Sequence, residues 1–184
     1  QIDTQGAWDI AAFEAGGRTF LGFSNNYDGV TYKLKSDIYV LNAAQTQFEL
    51  FQQMNTQGAN GMTAFIEGGR AFLGVANKFD HSTHKIKSDI YVLNAAQTQF
   101  ELFQQIDTQG AMGMETFGVA GRWFLVFLNF REDDRNYKLK SEIYVLNAAQ
   151  TKFELFQQID TQGAHDATAF AVGGRSFLGI ANYI

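Results

Sequence analysis

The sequence repeats one pattern over most of its length. The segment KSDIYVLNAAQTQFELFQQ at Lys35–Gln53 returns unchanged at Lys87–Gln105, and it returns again at Lys140–Gln158 with changes only at Glu142 and Lys152. Aligned on the motif TQGA, the chain divides into units 2–53, 54–105 and 106–158, followed by a partial unit 159–184. Such a repeat is typical of folds in which each unit packs against its neighbours. We therefore interpret residues 1–184 as a single repeat domain.

Each unit is predicted to contain four short strands. In the first unit these are Asp9–Ala15, Arg18–Asn25, Ser36–Asn42 and Phe48–Met54, because β-branched and aromatic residues alternate with polar ones there. Two glycines join the first pair of strands, as tight hairpins prefer. Units of roughly 40–50 residues with four strands indicate a β-propeller blade. The fold class is therefore all-β, a β-propeller of three and a half repeats, and we expect four blades.

The repeat resembles a known family. The stretch FELFQQIDTQGAHDATAFAVGGRSFLGIAN (Phe153–Asn182), together with the Ser-x-Ile-Tyr strand, resembles the EPTP or EAR (epilepsy-associated) repeat. The hallmarks of this repeat are an aromatic-Gln stretch, a Thr-x-Gly-Ala corner, a Phe strand, a yLavAN-like strand and the Ser-x-Ile-Tyr strand. All three full units contain every one of them. The resemblance implies a secreted or cell-surface propeller that binds other extracellular molecules and is not an enzyme. The near-identical units are also similar to small invertebrate lectins that repeat one weak sugar site.

The partial unit predicts association. Half a blade leaves an exposed strand edge, and such edges pair readily with other strands. We expect a four-bladed ring whose short blade pairs with a second copy, giving a homodimer.

Composition narrows the possible partners. The net charge is −5 and the basic residues are scattered, so we expect no nucleic-acid partner. No apolar run approaches the roughly 20 residues needed to span a bilayer, so we expect no membrane insertion. The chain starts without a signal-peptide pattern, so we expect any such peptide to have been removed or never present. Cysteine is absent, which excludes disulfides and thiolate chemistry.

No motif indicates catalysis. The segment DHSTH (Asp80–His84) places two histidines three residues apart, but the other units lack it. A metal or catalytic site needs more ligands or a base with an orienting partner. We therefore expect no metal, no cofactor and no enzymatic activity.

The candidate binding site lies in the long loops. Strands of a meander alternate in direction, so the loop NNYDGVTYK and the connection IDTQGAWD lie at one end of the blades, which we call the long-loop end. Variable loops on a rigid scaffold commonly carry binding sites, and aromatic rings beside planar polar groups suit sugars. Ordinary polar loops would have the same composition. The candidate ligand-binding residues are Gln5, Trp8, Asp9, Asn25, Tyr27, Asp28, Asn60, Asn77, Phe79, Asp80, His81, Asn129, Arg131, Asp133, His165, Asp166 and Asn182.

Two repeated residue types have alternative readings. The asparagine that ends the second strand of each unit either binds ligand or caps a turn. The arginine after each tight turn lies at the opposite end, where it either pairs with a neighbouring blade or binds anions. These arginines are Arg18, Arg70, Arg122 and Arg175.

Repetition favours a secreted, multivalent lectin. Near-identical units predict three or four equivalent weak sites for cell-surface or microbial glycans, and linked weak sites gain avidity. The alternative is a module that recognises one protein receptor through a composite face. Copied units without Cys or Pro would also suit a designed propeller, although the irregular loop differences argue against it.

Overall fold

The computed structural model describes residues 2–133 and 135–183. Its secondary structure consists of fourteen strands in four antiparallel sheets. The described chain has no helix of the length and apolarity that a membrane span requires. The strands are β1 (Ala7–Ala15), β2 (Arg18–Asn25), β3 (Lys35–Leu41), β4 (Phe48–Asn55), β5 (Ala59–Glu67), β6 (Arg70–Asn77), β7 (Lys85–Leu93), β8 (Phe100–Gln109), β9 (Ala111–Val119), β10 (Arg122–Asn129), β11 (Lys138–Leu146), β12 (Phe153–Gln162), β13 (Ala164–Val172) and β14 (Arg175–Asn182).

The sheets confirm the predicted all-β propeller blades. Strands β1–β4, β5–β8 and β9–β12 each form a four-stranded meander, and β13–β14 form a two-stranded sheet. The predicted strand bounds in the first unit agree with the observed ones to within two residues. The tight turn between β1 and β2 has both glycines at positive φ, 57° at Gly16 and 73° at Gly17. Glycine adopts this conformation without steric cost, which explains its use in a two-residue hairpin.

The four sheets form an open arc. Their first strands pack in series, β1 on β5, β5 on β9 and β9 on β13. Among the described residues no comparable packing joins β13 back to β1, so the closed ring that we expected is not formed within one chain. The two outer faces of the arc consequently remain open to solvent. Ile10 on β1 is 54% exposed and Phe170 on β13 is 50% exposed.

An aromatic joint holds each blade to the next. Phe100, on β8 of the second blade, packs edge-on against Phe13, Phe20 and Phe51 of the first, with ring centroids 5.9–6.2 Å away. Phe153 of the third blade repeats this contact on the second blade, at 5.3 Å from Phe72. Phe100 and Phe153 are both 2% exposed. Because edge-to-face ring pairs add stability beyond their buried area, these phenylalanines are central to the core.

Side-chain hydrogen bonds reinforce the joint. Gln52 Nε2 donates to Phe100 O at 2.9 Å, and Phe100 N donates to Gln52 Oε1 at 2.7 Å. Gln104 makes the same pair of bonds to Phe153, at 2.9 and 2.6 Å. The glutamine amide thus supplies the donor and the acceptor that a further strand would supply.

The repeated arginines also join blades. Arg18 donates to Gln97 O and Arg70 to Gln150 O, in each case one blade further along the chain. The predicted pairing with a neighbouring blade is therefore confirmed for these two residues. Arg122 instead donates to Leu146 O of its own blade, at 3.3 Å.

Candidate functional site

The aspartates of the three long loops hydrogen-bond to the backbone of their own loops. Asp80 Oδ1 accepts from Ser82 N and Thr83 N, both at 2.9 Å, and Asp28 and Asp133 make the corresponding turns in their own loops. These backbone N–H donors lower the pKa of all three carboxyls, that of Asp80 to about 2. The carboxylates are therefore charged at neutral pH and fix the loop conformation.

The repeated asparagines lie beneath the loops. Asn25, Asn77 and Asn129 are buried, and each side-chain amide donates to a lysine carbonyl on the third strand of its blade, at 2.7–2.9 Å. Asn77 Oδ1 also accepts from Gln57 N at 3.0 Å. Asn182 is exposed, and its Oδ1 accepts from Gln162 N at 3.0 Å. Their amides hold strands and connections together, which fits the turn-capping reading.

One cleft at the long-loop end is rich in aromatic rings. It has a volume of about 470 Å³, and we call it the aromatic cleft. Its lining residues come from all three full units, and they are Gly6, Ala7, Trp8, Asn26, Tyr27, Tyr32, Lys78, Phe79, His84 and Arg131.

The aromatic side chains support one another. Tyr27 and Tyr32 stack with centroids 4.4 Å apart, and Phe79 meets Tyr32 edge-on at 5.0 Å. Phe79 also stacks on His84 at 4.5 Å. Trp8 is 57% exposed and so presents a large open ring surface. An exposed indole beside a braced group of rings is a suitable platform for the apolar face of a sugar.

The formal charges that line the aromatic cleft are positive. Lys78 and Arg131 provide them, and none of the described lining side chains is acidic. Lys78 Nζ lies 5.7 Å from the Trp8 ring centroid and 5.8 Å from that of Phe130, within cation–π range. Burial lowers the pKa of Lys78, and the nearby Arg131 charge lowers it further. An anionic group placed close to Lys78 Nζ would favour the protonated form of this lysine.

The histidines of the second loop position backbone. His84 is buried, its Nδ1 lies 2.9 Å from Lys78 O, and its carbonyl accepts from Gly110 N at 2.7 Å. His81 is exposed at a φ of 87°, with Nε2 3.0 Å from Val30 O. Within residues 2–133 and 135–183, no three His, Cys, Asp or Glu side chains are grouped as metal ligands would be.

The remaining predicted residues lie outside the aromatic cleft. Asp9 bridges two blades by accepting from Met62 N at 3.0 Å, and Asp166 accepts from Ala167 N at 2.9 Å. Asn60 is buried and accepts from the Asn26 amide. Gln5 and His165 are exposed, and the His165 ring lies 6.3 Å from that of Phe130.

Two grooves between blades have matching linings. The smaller, of about 540 Å³, contains Lys33, Gln57 and Asn77, and the larger, of about 1020 Å³, contains the equivalent Lys85, Gln109 and Asn129. No described aromatic side chain lines either groove. The repeat therefore gives two similar polar grooves, whereas the aromatic cleft combines residues from three different units.

The structure brings together four of the predicted residues, Trp8, Tyr27, Phe79 and Arg131, in the aromatic cleft. Sequence reasoning missed the other polar and aromatic side chains that line it, namely Asn26, Tyr32, Lys78 and His84. Alignment of the units contained one usable signal. Lys78 is the only basic residue at a position occupied elsewhere by Asn26, Phe130 and Tyr183.

Comparison with known proteins identifies the repeat. The EPTP domain family matches residues 99–147 and 152–184. The chain is 38% identical over 136 residues, 74% of its length, to the thrombospondin-type laminin G domain and EAR repeat-containing protein of Mus musculus. It is 36% identical to the Homo sapiens protein of the same name over 98% of its length. It spans only 20% and 28% of these two relatives.

Solved structures support the propeller fold. The GH43_1 enzyme from Xanthomonas citri complexed with xylotriose aligns with a TM-score of 0.63 and 10% sequence identity. The alignment covers 96% of this chain and 67% of the enzyme chain. The GH93 α-L-arabinofuranosidase of Fusarium graminearum with arabinobiose aligns with a TM-score of 0.60 and 9% sequence identity. This alignment covers 90% of the present chain and 51% of the enzyme chain. At these identities the likeness concerns the fold alone. The similarity to the two relatives and the match to the EPTP domain show that the chain belongs to the EPTP/EAR repeat family, and the solved structures support its β-propeller fold.

Proposed function

We propose that this chain is an extracellular, non-enzymatic binding module that binds an acidic carbohydrate in the aromatic cleft. The observation that carries the proposal is the exposed Trp8 ring with Lys78 Nζ 5.7 Å from its centroid, in a cleft with no described acidic lining. The indole would stack on the sugar ring, and the Lys78 ammonium would bind its carboxylate or sulfate group.

One principal site per chain is favoured over three or four equivalent ones. The aromatic cleft combines residues of three different units, and its Lys78 has no basic counterpart in the other units. Avidity would then come from association of chains rather than from the repeats within one chain.

The test is a glycan array followed by calorimetry with one acidic glycan and its neutral counterpart. We expect saturable binding of the acidic glycan with one site per chain, and binding weaker by at least tenfold for the neutral glycan. Trp8→Ala and Lys78→Gln should each abolish measurable binding without a large change in melting temperature. The matched control is Tyr183→Ala, an aromatic residue at the same end that is 68% exposed and lies outside the aromatic cleft.

The pH dependence adds a second criterion. Lys78 must be protonated to attract an anion, and its pKa lies below the ordinary lysine value. Affinity for the acidic glycan should therefore fall as pH rises through this lowered pKa. Lys78→Gln should remove that part of the pH dependence.

A protein receptor is the second candidate. The unequal loops favour it, because a composite face without repetition suits a single large partner. A blank array, together with cell-surface binding that Trp8→Ala abolishes, would overturn the carbohydrate proposal in favour of a protein partner.

A further inference from the structure

The blades of the arc meet through matched small and large residues. Gly22 faces Met62 of the next blade, and Gly74 faces Met114, so closely that a Cβ on either glycine would overlap the methionine side chain. The third joint uses different residues at the equivalent positions, Val126 and Ala167, and both belong to one apolar cluster. At this one joint the glycine is replaced by a larger residue and the methionine by a smaller one.

One member of this series is left at each end of the chain. Gly179 on β14 is the equivalent of Gly22 and Gly74, and a Cβ there would meet only atoms of its own hairpin, at 3.7–3.9 Å. Ile10 on β1 is the equivalent of Met62 and is 54% exposed. We call the open face of the first blade, which carries Ile10, the head and the open face of the last hairpin, which carries Gly179, the tail. The small residue at the tail and the large residue at the head therefore complement each other.

The aromatic parts of the joint are likewise divided between the two ends. At the tail, Phe170 and Phe177 are 50% and 40% exposed, although the equivalent Phe65 and Phe72 are 5% and 0% exposed. The residue that covers Phe65 and Phe72 is Phe153. Its equivalent in the first blade is Phe48, which covers no preceding blade.

The two ends also carry the residues of the arginine-to-carbonyl hydrogen bond that joins neighbouring blades. Arg18 and Arg70 reach the carbonyls of Gln97 and Gln150, which have φ angles of 56°. Gln45 at the head has the same conformation, with a φ of 55°. The exposed Arg175 at the tail is the equivalent of Arg18 and Arg70.

We propose that this chain associates head to tail with a second copy of itself. The tail surface, Phe170, Arg175, Phe177 and Gly179, receives the head surface, Ile10, Gln45 and Phe48, of the second copy. Ile10 then lies against Gly179, and Phe48 covers the tail phenylalanines, as Met62 and Phe100 do inside the chain. The interface is heterologous, because the two surfaces that meet are different.

The occupant is a second copy because the head already contains the parts that the tail lacks, in the required register. Within one chain these two surfaces lie at opposite ends of the open arc, where β1 and β13 do not pack together. This interface also differs from pairing of two β14 edges, which would be symmetric and would not involve Ile10.

The test uses two complementary variants and mass determination by light scattering. Ile10→Arg disables the head, and Gly179→Arg disables the tail. Both sites are open in the single chain, so circular dichroism should show both variants folded. Val30→Arg is the control, since Val30 is 78% exposed and belongs to neither surface.

We expect the wild type and Val30→Arg to have at least twice the 20.5 kDa chain mass, and each disabled variant to have the single-chain mass. An equimolar mixture of Ile10→Arg and Gly179→Arg should recover a two-chain species, because one intact head can meet one intact tail. A single-chain mass for the wild type at its highest soluble concentration would overturn the proposal and leave another polypeptide as the occupant. Ile10→Arg with the wild-type mass would also overturn it, as would a mixture that stays single-chain. If Gly179→Arg does not fold, Ile10→Arg alone still decides.

Discussion

The hairpins β5–β6 and β13–β14 have the same design and very different surroundings. Each has a tight Gly-Gly turn and a stacked phenylalanine pair, Phe65–Phe72 at 5.4 Å and Phe170–Phe177 at 5.5 Å. In β5–β6 the pair is covered by the next blade, and in β13–β14 it is open. Burial is therefore a property of the joint between blades, and a repeat alone does not create it. Nearest-neighbour interfaces are expected to dominate the stability of such arrays.

The largest expected effect is at the paired phenylalanines. In the single-chain Ile10→Arg background, Phe72→Ala should lower the free energy of unfolding by about 3–5 kcal/mol, the usual cost of emptying a buried aromatic site. Phe177→Ala should cost less than half as much, because its ring is already 40% exposed. Denaturant unfolding measures both. Equal losses would show that the last hairpin has the same core environment as the second blade.

The glycines of the joint should respond in opposite ways to an added side chain. Gly74→Val should cost about 1–3 kcal/mol, because the new side chain overlaps Met114 and overpacks the joint. Gly179→Val should be neutral or slightly stabilising in the single chain, since valine favours strands and the site is open. Denaturant midpoints compare the two. A comparable loss at Gly179 would contradict the open tail.

The glutamines that hydrogen-bond across the joints should show a smaller difference in stability between covered and open positions. Gln104→Leu removes two hydrogen bonds to Phe153 and should cost about 2 kcal/mol, since each such bond typically contributes about 1 kcal/mol. Gln157→Leu, at the equivalent exposed position of the third blade, should change stability by less than about 0.5 kcal/mol. Gln104→Glu is an informative control, because it keeps the acceptor for Phe153 N and loses the donor. A larger loss of thermal stability for Gln157→Leu than for Gln104→Leu would contradict the role of Gln104 in joining the blades.

The arginines should show the smallest difference. Arg70 donates to Gln150 O at 2.5 Å and lies 5.0 Å above the Phe72 ring. Because the hydrogen bond is exposed, Arg70→Gln should cost only about 0.5–1 kcal/mol. Arg175→Gln should have almost no effect in the Ile10→Arg background. In a chain that keeps Ile10, Arg175→Gln should weaken the association of two copies, which light scattering would detect.

The repeat made the fold predictable and the site only partly so. The alternating strands, the tight glycine-containing turns and the arginine after each turn recur in every unit, so each copy repeats the same signal. The aromatic cleft depends on contacts between loops of different units, for example Tyr32 with Phe79, and no period in the sequence reveals such contacts. The asparagines show the opposite problem, since their regular spacing singles them out although their amides are used within the blades.

The open arc was also beyond sequence reasoning. Counting hairpins predicts four sheets, but it does not specify whether the curvature of the blades brings the first and last strands together. That curvature depends on how side chains such as Gly22 and Met62 fit across each joint. The proposed fit of Ile10 against Gly179 rests on the geometry of these joints.

Hydrogen exchange on the Ile10→Arg chain tests whether the joints between blades stabilise the hairpins. Amide protection reports local opening, which should be rarer where a hairpin is covered on both sides. The strands β5 and β13 each pair with one neighbouring strand, but β5 packs between β1 and β9 whereas β13 packs on β9 alone. We predict strong protection for β5 and much weaker protection for β13, and we predict that β13 becomes more protected in the wild type when chains associate. Equal protection of β5 and β13 in the single chain would contradict the conclusion that joints between blades, rather than the repeats themselves, stabilise this fold.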